Sequence, residues 1–369
     1  MIPTVRGVRS AVKREGAERY VLISLVSFAA SVVITRLFLQ LTGYPQLGNS
    51  ELHIAHVLWG GLLLFVAALL PLILANRWAY NASAVLSGLG VGLFIDEVGK
   101  FITQTNDYFY PPAAPIIYAF FLLTVLLYLR VRRPAVQTPR HELYRIFEGL
   151  TEVLDQDLDP HERARLEARV LHISEQTDDL NLKRLAHLLV DYLEEEQMLL
   201  VEPEKGYFRR WGERIVPLYT RTVNQRRLRN VLILALGAMG VIALIEFVVL
   251  VMGIAQPGGA LENLVEPLVT RGEIHSANDA LWFLIRVALE GITGVTLVIS
   301  GAMMVLRRER SGIQLATLTL IVWLTVINLL VFYLDQFGAV ATALVQFSVL
   351  MGLTYYRHRY LKPEDDDLG

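Results

Sequence analysis

The sequence predicts an all-α integral membrane protein of eight transmembrane helices, arranged as two parallel four-helix halves with a cytoplasmic helical insert. Three observations lead there. Apolar residues make up 54% of the 369 positions and charged residues only 19%, against about 25% charged in ordinary soluble domains. Mean hydropathy is +0.43. The apolar residues also gather in blocks of about 20, the length that crosses about 30 Å of hydrocarbon.

The blocks cover about 20–42, 52–75, 82–101, 113–131, 230–253, 280–306, 313–334 and 337–356. The first is too long, and followed by too many others, to be a cleaved signal peptide. The chain has no cysteine, which excludes disulfides, thiolate metal sites and cysteine nucleophiles. A net charge of -2 gives no basis for nucleic-acid binding. The predicted domains are a basic N-terminus (1–19), a first membrane half (20–133), the insert (134–228), a second membrane half (229–358) and an acidic tail (359–369).

Arginine and lysine near the helix ends set the expected orientation. Arg6, Arg9, Lys13, Arg14 and Arg19 precede the first block, and later clusters are Arg130/Arg132/Arg133, Arg226/Arg227/Arg229, Arg307/Arg308/Arg310 and Arg357/Arg359. Eight crossings bring all of them to one side. That predicts a bacterial inner (cytoplasmic) membrane protein with both termini in the cytoplasm. Loops 43–51, 102–112 and 254–279 are poor in Lys and Arg and fall on the outer side.

An internal repeat supports the division into halves. Residues 93–99, LFIDEVG, align with 332–338, FYLDQFG, so Asp96 meets Asp335 and Gly99 meets Gly338. Arg36 likewise meets Glu246, and Tyr128, Arg130 and Arg132 meet Tyr355, Arg357 and Arg359. The competing reading is chance alignment of apolar helices. A parallel repeat of this kind occurs in some transporters.

The insert reads as a small helical bundle. Residues 140–154 carry apolar side chains at helical spacing, and Asp159-Pro160 followed by Glu162 is a helix start with cap, first-turn proline and capping glutamate. Leu166, Val170 and Ile173 continue that helix, and Leu182, Leu185, Leu188, Leu189, Tyr192 and Leu193 stripe the next. Tyr207 to Trp211 reads as an amphipathic segment at the membrane surface.

Residues 88–116 concentrate the chemistry. A glycine-rich apolar helix runs into Asp96, Glu97 and Lys100, followed by the loop ITQTNDYFYPPA. Ionisable groups inside membrane helices are costly and by default functional; the competing reading is a helix end in the wet interfacial zone. Asp96 and Lys100 stand at i,i+4, where an ion pair is natural. Asn106, Asp107, Tyr108 and Tyr110 form the candidate gating loop: Asn-Asp favours a turn, and tyrosines suit the membrane–water interface. Gly88, Gly90 and Gly92 sit inside an apolar helix with no strand before them, so they are read as close helix packing, not a nucleotide loop.

Further intramembrane charges are Arg36, Glu246, Arg286 and Glu290. With Asp96, Glu97, Lys100 and Asp335 they make five acids and three bases, a set that suits a cation, a proton or an amine. His53 and His56 at i,i+3 share a helix face, and neutral imidazole is a common metal ligand. Joined by Asp96 and Glu97 they could ligate a divalent metal ion, the one cofactor the sequence suggests. Ordinary interfacial histidines are the simpler alternative.

The segment LFIDEVGKF…NDYFYPPAAPIIY resembles one in uncharacterised bacterial polytopic membrane proteins. It covers under a tenth of the chain and implies the membrane fold without an activity. A fainter similarity is to membrane hydrolases that gather histidines and acids at one bilayer face; that pattern needs more histidines than His53, His56 and His275 supply. Three functions follow as expectations: a transporter of a small cationic or polar solute or proton, a metal-dependent hydrolase acting on lipid at the outer leaflet, and a sensor or scaffold coupling the outer site to the insert. The expected partners are membrane lipid and the solute, with a homo-oligomer left open.

Overall fold

The computed structural model describes residues 11–43, 56–107, 110–133, 139–154, 160–176, 180–194, 224–255 and 277–361. It is an all-α polytopic membrane protein, and no strand occurs among the described residues. Eight helices are long and apolar enough to cross a membrane. They are α1 (Ala17–Thr42), α2 (His56–Ile73), α3 (Arg77–Asp96), α5 (Ala113–Arg132), α9 (Gln225–Ala255), α10 (Ala277–Val305), a broken seventh span, and α13 (Ala339–Tyr360). The seventh span is α11 (Glu309–Val322), a π-helical turn (Trp323–Ile327) and α12 (Asn328–Asp335). A short α4 (Val98–Ile102) follows α3, and the insert contributes α6 (Pro139–Leu154), α7 (Pro160–Gln176) and α8 (Leu180–Glu194).

The third span departs from the sequence-based range of 82–101. It starts at Arg77 and ends at Asp96, and Glu97 turns the chain into α4. Asn81, Ser83 and Ser87 give its beginning the composition of a loop. In hydrocarbon, small polar residues instead bring helices close and bond across them.

The chain forms two compact units. The first is Met1–Ile95 with Leu123–Gly212, the second Asp96–Leu122 with Glu213–Gly369. In the first, α3 packs between α1 and α2 on its glycines. A Cβ at Gly92 would meet Ser31 Cβ at 2.5 Å, and one at Gly90 would meet the Gly60 carbonyl at 2.8 Å. Gly88 is pressed equally against Ser24 and Ser27. The hydroxyls of Ser24 and Ser31 donate to the Ala84 and Leu89 carbonyls at 2.8 and 3.1 Å, so the α1–α3 seam is both close and hydrogen-bonded.

Pro71 lies inside α2. Proline has no N–H to give the carbonyl four residues earlier, and here that carbonyl belongs to Ala67. Ser83 of α3 donates its hydroxyl to Ala67 O at 2.7 Å. A neighbouring helix thereby satisfies the group the proline left bare, as a bilayer requires.

The insert helices close on Ile146, Leu166, Val170, Ile173 and Leu193. α7 begins at Pro160, where the cap pattern places it. Among the described residues of the α8 stripe only Leu193 is fully buried, while Leu188 and Tyr192 are exposed. The segment Tyr207–Trp211 lies outside the described residues.

In the second unit, α9 and α10 meet through Gly240 and Gly294, where a Cβ on either would lie 2.7–2.8 Å from the other's carbonyl oxygen. The core runs through Leu232, Leu236, Leu297, Met304, Leu320, Trp323, Phe332, Leu353 and Tyr356, with Ala114 and Tyr118 from α5. Glu309 accepts from Arg229 at 2.9 Å and from the Tyr356 hydroxyl at 2.8 Å. That ties three spans together at their arginine-bearing ends.

Ser83→Ala should destabilise the protein by about 1–3 kcal/mol, the cost of leaving a buried carbonyl bare. The same change in a Pro71→Ala background should cost far less, because an alanine at that position brings its own N–H. Thermal unfolding of the four proteins in one detergent measures the difference.

Candidate functional site

Apart from Arg36, the intramembrane charges singled out in the sequence fall into two groups, both within the second unit. The first sits where α3 ends. Asp96 is its last residue, and Glu97 turns the chain into α4. Both carboxylates are buried, Asp96 at 0% and Glu97 at 1% exposure. The Lys100 ammonium lies 2.6 Å from Glu97 Oε1. Lys100 thus pairs with Glu97 at i,i+3 across the turn that separates α3 from α4.

The following loop turns as its composition predicts. Asn106 adopts a left-handed backbone with φ 53°, a conformation asparagine tolerates. The Thr103 hydroxyl donates to the Gly99 carbonyl at 2.8 Å and accepts from the Asp107 N–H at 2.7 Å. Asn106 and Asp107 are exposed and Tyr110 is half-buried, while Tyr108 lies outside the described residues.

The second group joins α9 and α10. Arg286 Nε lies 3.1 Å from Glu290 Oε2, one turn along α10. Its NH2 reaches Glu246 of α9 at 3.8 Å. Asp335, the last residue of α12, is attracted by Arg286 and repels Glu290. One guanidinium thus pairs with two carboxylates, and Asp335 lies within its electrostatic reach. Glu290 is only 6% exposed and stands eleven residues inside the span from Asp279, about 16 Å at 1.5 Å per residue. The Glu246 side chain is 51% exposed, and Asp335 is also exposed.

The turn after Asp335 is built around it. Gln336 has φ 47° and ψ -124°, a sparsely populated backbone conformation of the kind found at functional sites. A Cβ on Gly338 would stand 2.7 Å from Asp335 Oδ1, so a larger residue there would displace the carboxylate. Asp96 and Asp335 share a position: each closes an α-helix that a short helical turn follows.

Arg36 is buried at 8% exposure in α1, in the first unit. His56 opens α2 in that same unit, and His53 and His275 lie outside the described residues. Among the described residues no group of three His, Cys, Asp or Glu side chains is placed to hold a metal ion.

A polar network that sequence reasoning misses lies around the π turn. There the Asn328 N–H bonds to the Trp323 carbonyl, five residues back, so it does not serve Leu324 O in the α-helical manner. The Tyr118 hydroxyl donates to Leu324 O at 2.6 Å, and the Tyr118 ring stacks on Phe332 at 4.4 Å. Asn328 Nδ2 donates to Gln346 Oε1 at 2.8 Å. The one signal in the sequence is an asparagine and a glutamine inside apolar spans, less conspicuous than the ionisable groups because they carry no charge.

Comparison of the chain with protein-family models, with curated proteins and with solved structures finds no match.

Two outcomes check this geometry. Tyr118→Phe removes the donor that covers the Leu324 carbonyl and should lower stability by about 1–3 kcal/mol, read as a drop in Tm. Arg286→Met strands Glu246 and Glu290 and should cost about 3–5 kcal/mol, as when one partner of a buried pair is removed. Adding Glu290→Gln to Arg286→Met should recover much of that loss, a coupling that a double-mutant cycle reads directly.

Proposed function

We propose that the protein transports a small cation or proton through the acidic groups of its second unit. The observation that carries this reading is the sharing of Arg286 by Glu246 and Glu290, with Asp335 in range. A purely structural ion pair needs one acid per base and is best sealed from solvent. Here two acids share one base with a third in electrostatic range, and both Glu246, within its span, and Asp335, at the end of its span, are exposed. A carboxylate at that depth is stable only facing water, a partner or a bundle interior. A water-filled approach to a negatively charged site is what a cation needs.

The roles follow from placement. Glu290, buried beside Arg286, binds the cation or exchanges a proton, and Arg286 sets the balance between those two uses. Glu246 and Asp335 form the exposed approach. Asp96 and Glu97 are a second buried acidic position, with Lys100 as counter-charge, and the 103–112 loop gates access to it. On the orientation implied by the arginine-bearing helix ends, the site opens outward. The matching placement of Asp96 and Asp335 supports a parallel repeat, in which the aromatic loop is a specialisation of the first half.

Reconstitution into liposomes containing a pH-sensitive dye tests this. Imposed proton, Na+ and K+ gradients should produce dye or counter-flux signals that fall to the level of empty liposomes in Glu290→Gln. Asp96→Asn should do the same while the protein still elutes as a folded species. Unchanged flux in the Asp96→Asn/Glu97→Gln double variant would overturn the assignment of that pair.

A further inference from the structure

The residues just before α1 are held by the insert. The Glu15 carboxylate receives both guanidinium nitrogens of Arg169 in α7, each at 2.7 Å. The backbone N–H of Glu15 donates to Glu148 of α6 at 3.1 Å, and Arg14 Nε lies 3.2 Å from the same Glu148 carboxylate. The Arg14 guanidinium also stacks 3.7 Å over Tyr80, in the first turn of α3, and Tyr80 meets Tyr20 of α1 at 6.1 Å. Three kinds of contact — bidentate ion pair, backbone bond and cation–π stack — converge on two residues. A bidentate Arg–carboxylate pair is the strong and geometrically specific form of such a bond.

What lies behind this latch is rigid. Gly88 and Gly92 of α3 are pressed onto Ser24, Ser27 and Ser31 of α1, and two serine hydroxyls bond across the seam. Close-packed small residues leave no slack for α1 and α3 to slide independently. At its far end α3 terminates in Asp96.

The geometry points to a function for the insert: it is a control domain that sets the position of the Asp96–Glu97 turn through the 14–15 latch and the α1–α3 seam. The regulatory consequence rests on the transport reading of Asp96, whereas the mechanical coupling does not. Burial alone would push the Glu15 carboxyl up, but the Arg169 hydrogen bonds and the fields of Arg169, Arg145 and Arg77 outweigh it and hold it below the usual carboxylate value. Arg169 is raised in turn by its hydrogen bonds to Glu15, with Glu142 adding to the effect. Glu148, Glu18, Lys13 and Arg14 complete the charges around the latch. A depressed acid contributes its stability fully above the ordinary carboxylate value and loses it as pH falls through the lowered one. The latch is therefore closed at neutral and mildly acidic pH.

The chain has no cysteine, so a single introduced thiol reports without background. Thr105 is exposed in the loop beyond α4, and Thr105→Cys can be followed by its maleimide modification rate in the purified full-length protein. Glu15→Gln and Arg169→Gln should each change that rate by about fivefold, the low end of allosteric coupling. The charge-swapped Glu15→Arg/Arg169→Glu variant should return it towards the starting value. Arg163→Gln, whose partner Glu167 is on the same helix, should leave it unchanged. The proposal is overturned if Glu15→Gln and Arg169→Gln match Arg163→Gln, or if amide exchange shows the insert released while the Thr105→Cys rate stays put. A variant that fails to elute as a folded species is replaced by its partner-side counterpart. Because labelling needs no transport, a protein that couples but moves no ion would retain this inference and lose only the transport reading.

Discussion

Hydrocarbon offers no hydrogen bonds, and much of this structure follows from that single constraint. Where α2 and the seventh span depart from a plain α-helix, a side chain from another span repairs the departure. Pro71 strips the Ala67 carbonyl of its donor, and Ser83 supplies one. The π turn of the seventh span redirects the Asn328 N–H, and Tyr118 covers Leu324 O. Ser300 of α10 donates to the Gly312 carbonyl of α11. An unsatisfied backbone group costs several kcal/mol in a bilayer, so each repair fixes which helices must be neighbours. Close glycine contacts then fix how near they stand. Register between spans is thus specified by a few polar and missing side chains, against an apolar background that fits many arrangements equally well.

The same constraint separates the two kinds of charge. Arg229, Glu309 and Tyr356 form a set at helix ends with one base, one acid and one hydroxyl, to which Gln225 also donates. Arg286 differs, because Glu246 and Glu290 both draw on its single guanidinium and Asp335 lies in its field. A structure selected only for stability would replace a partly exposed acid such as Glu246 with an apolar residue, since charged side chains at this depth are expensive. Keeping three acids around one base has a cost that ligand binding or proton exchange can justify.

The membrane class was readable because apolar blocks of about 20 residues, eight times over, match the thickness of a bilayer and little else. The helical insert was readable from Pro160 and its cap pattern. The start of α3 was not: Arg77 and Asn81, ahead of the expected 82–101, give that stretch the composition of a loop. The break at Glu97 was equally hidden, because a four-residue charge spacing suggests a continuous helix and says nothing about where that helix ends. Glu246, Arg286 and Glu290 were legible as costly charges, but only the packing of α9 on α10 shows that one arginine joins both acids. Tyr118, Asn328 and Gln346 were not legible, because their importance comes from a backbone irregularity, and a π turn leaves no mark in composition.

A rigid seam and a strained turn mean different things for motion. The α1–α3 contact is tight at its glycines and hydrogen-bonded at two levels. The seventh span has the opposite character. Its π turn places one extra residue in a helical repeat, and the span ends at Asp335 beside the unfavourable backbone of Gln336. The Tyr118 hydroxyl holds Leu324 O in the π arrangement, so an uncharged hydrogen bond supports the irregular turn that leads into α12 and Asp335.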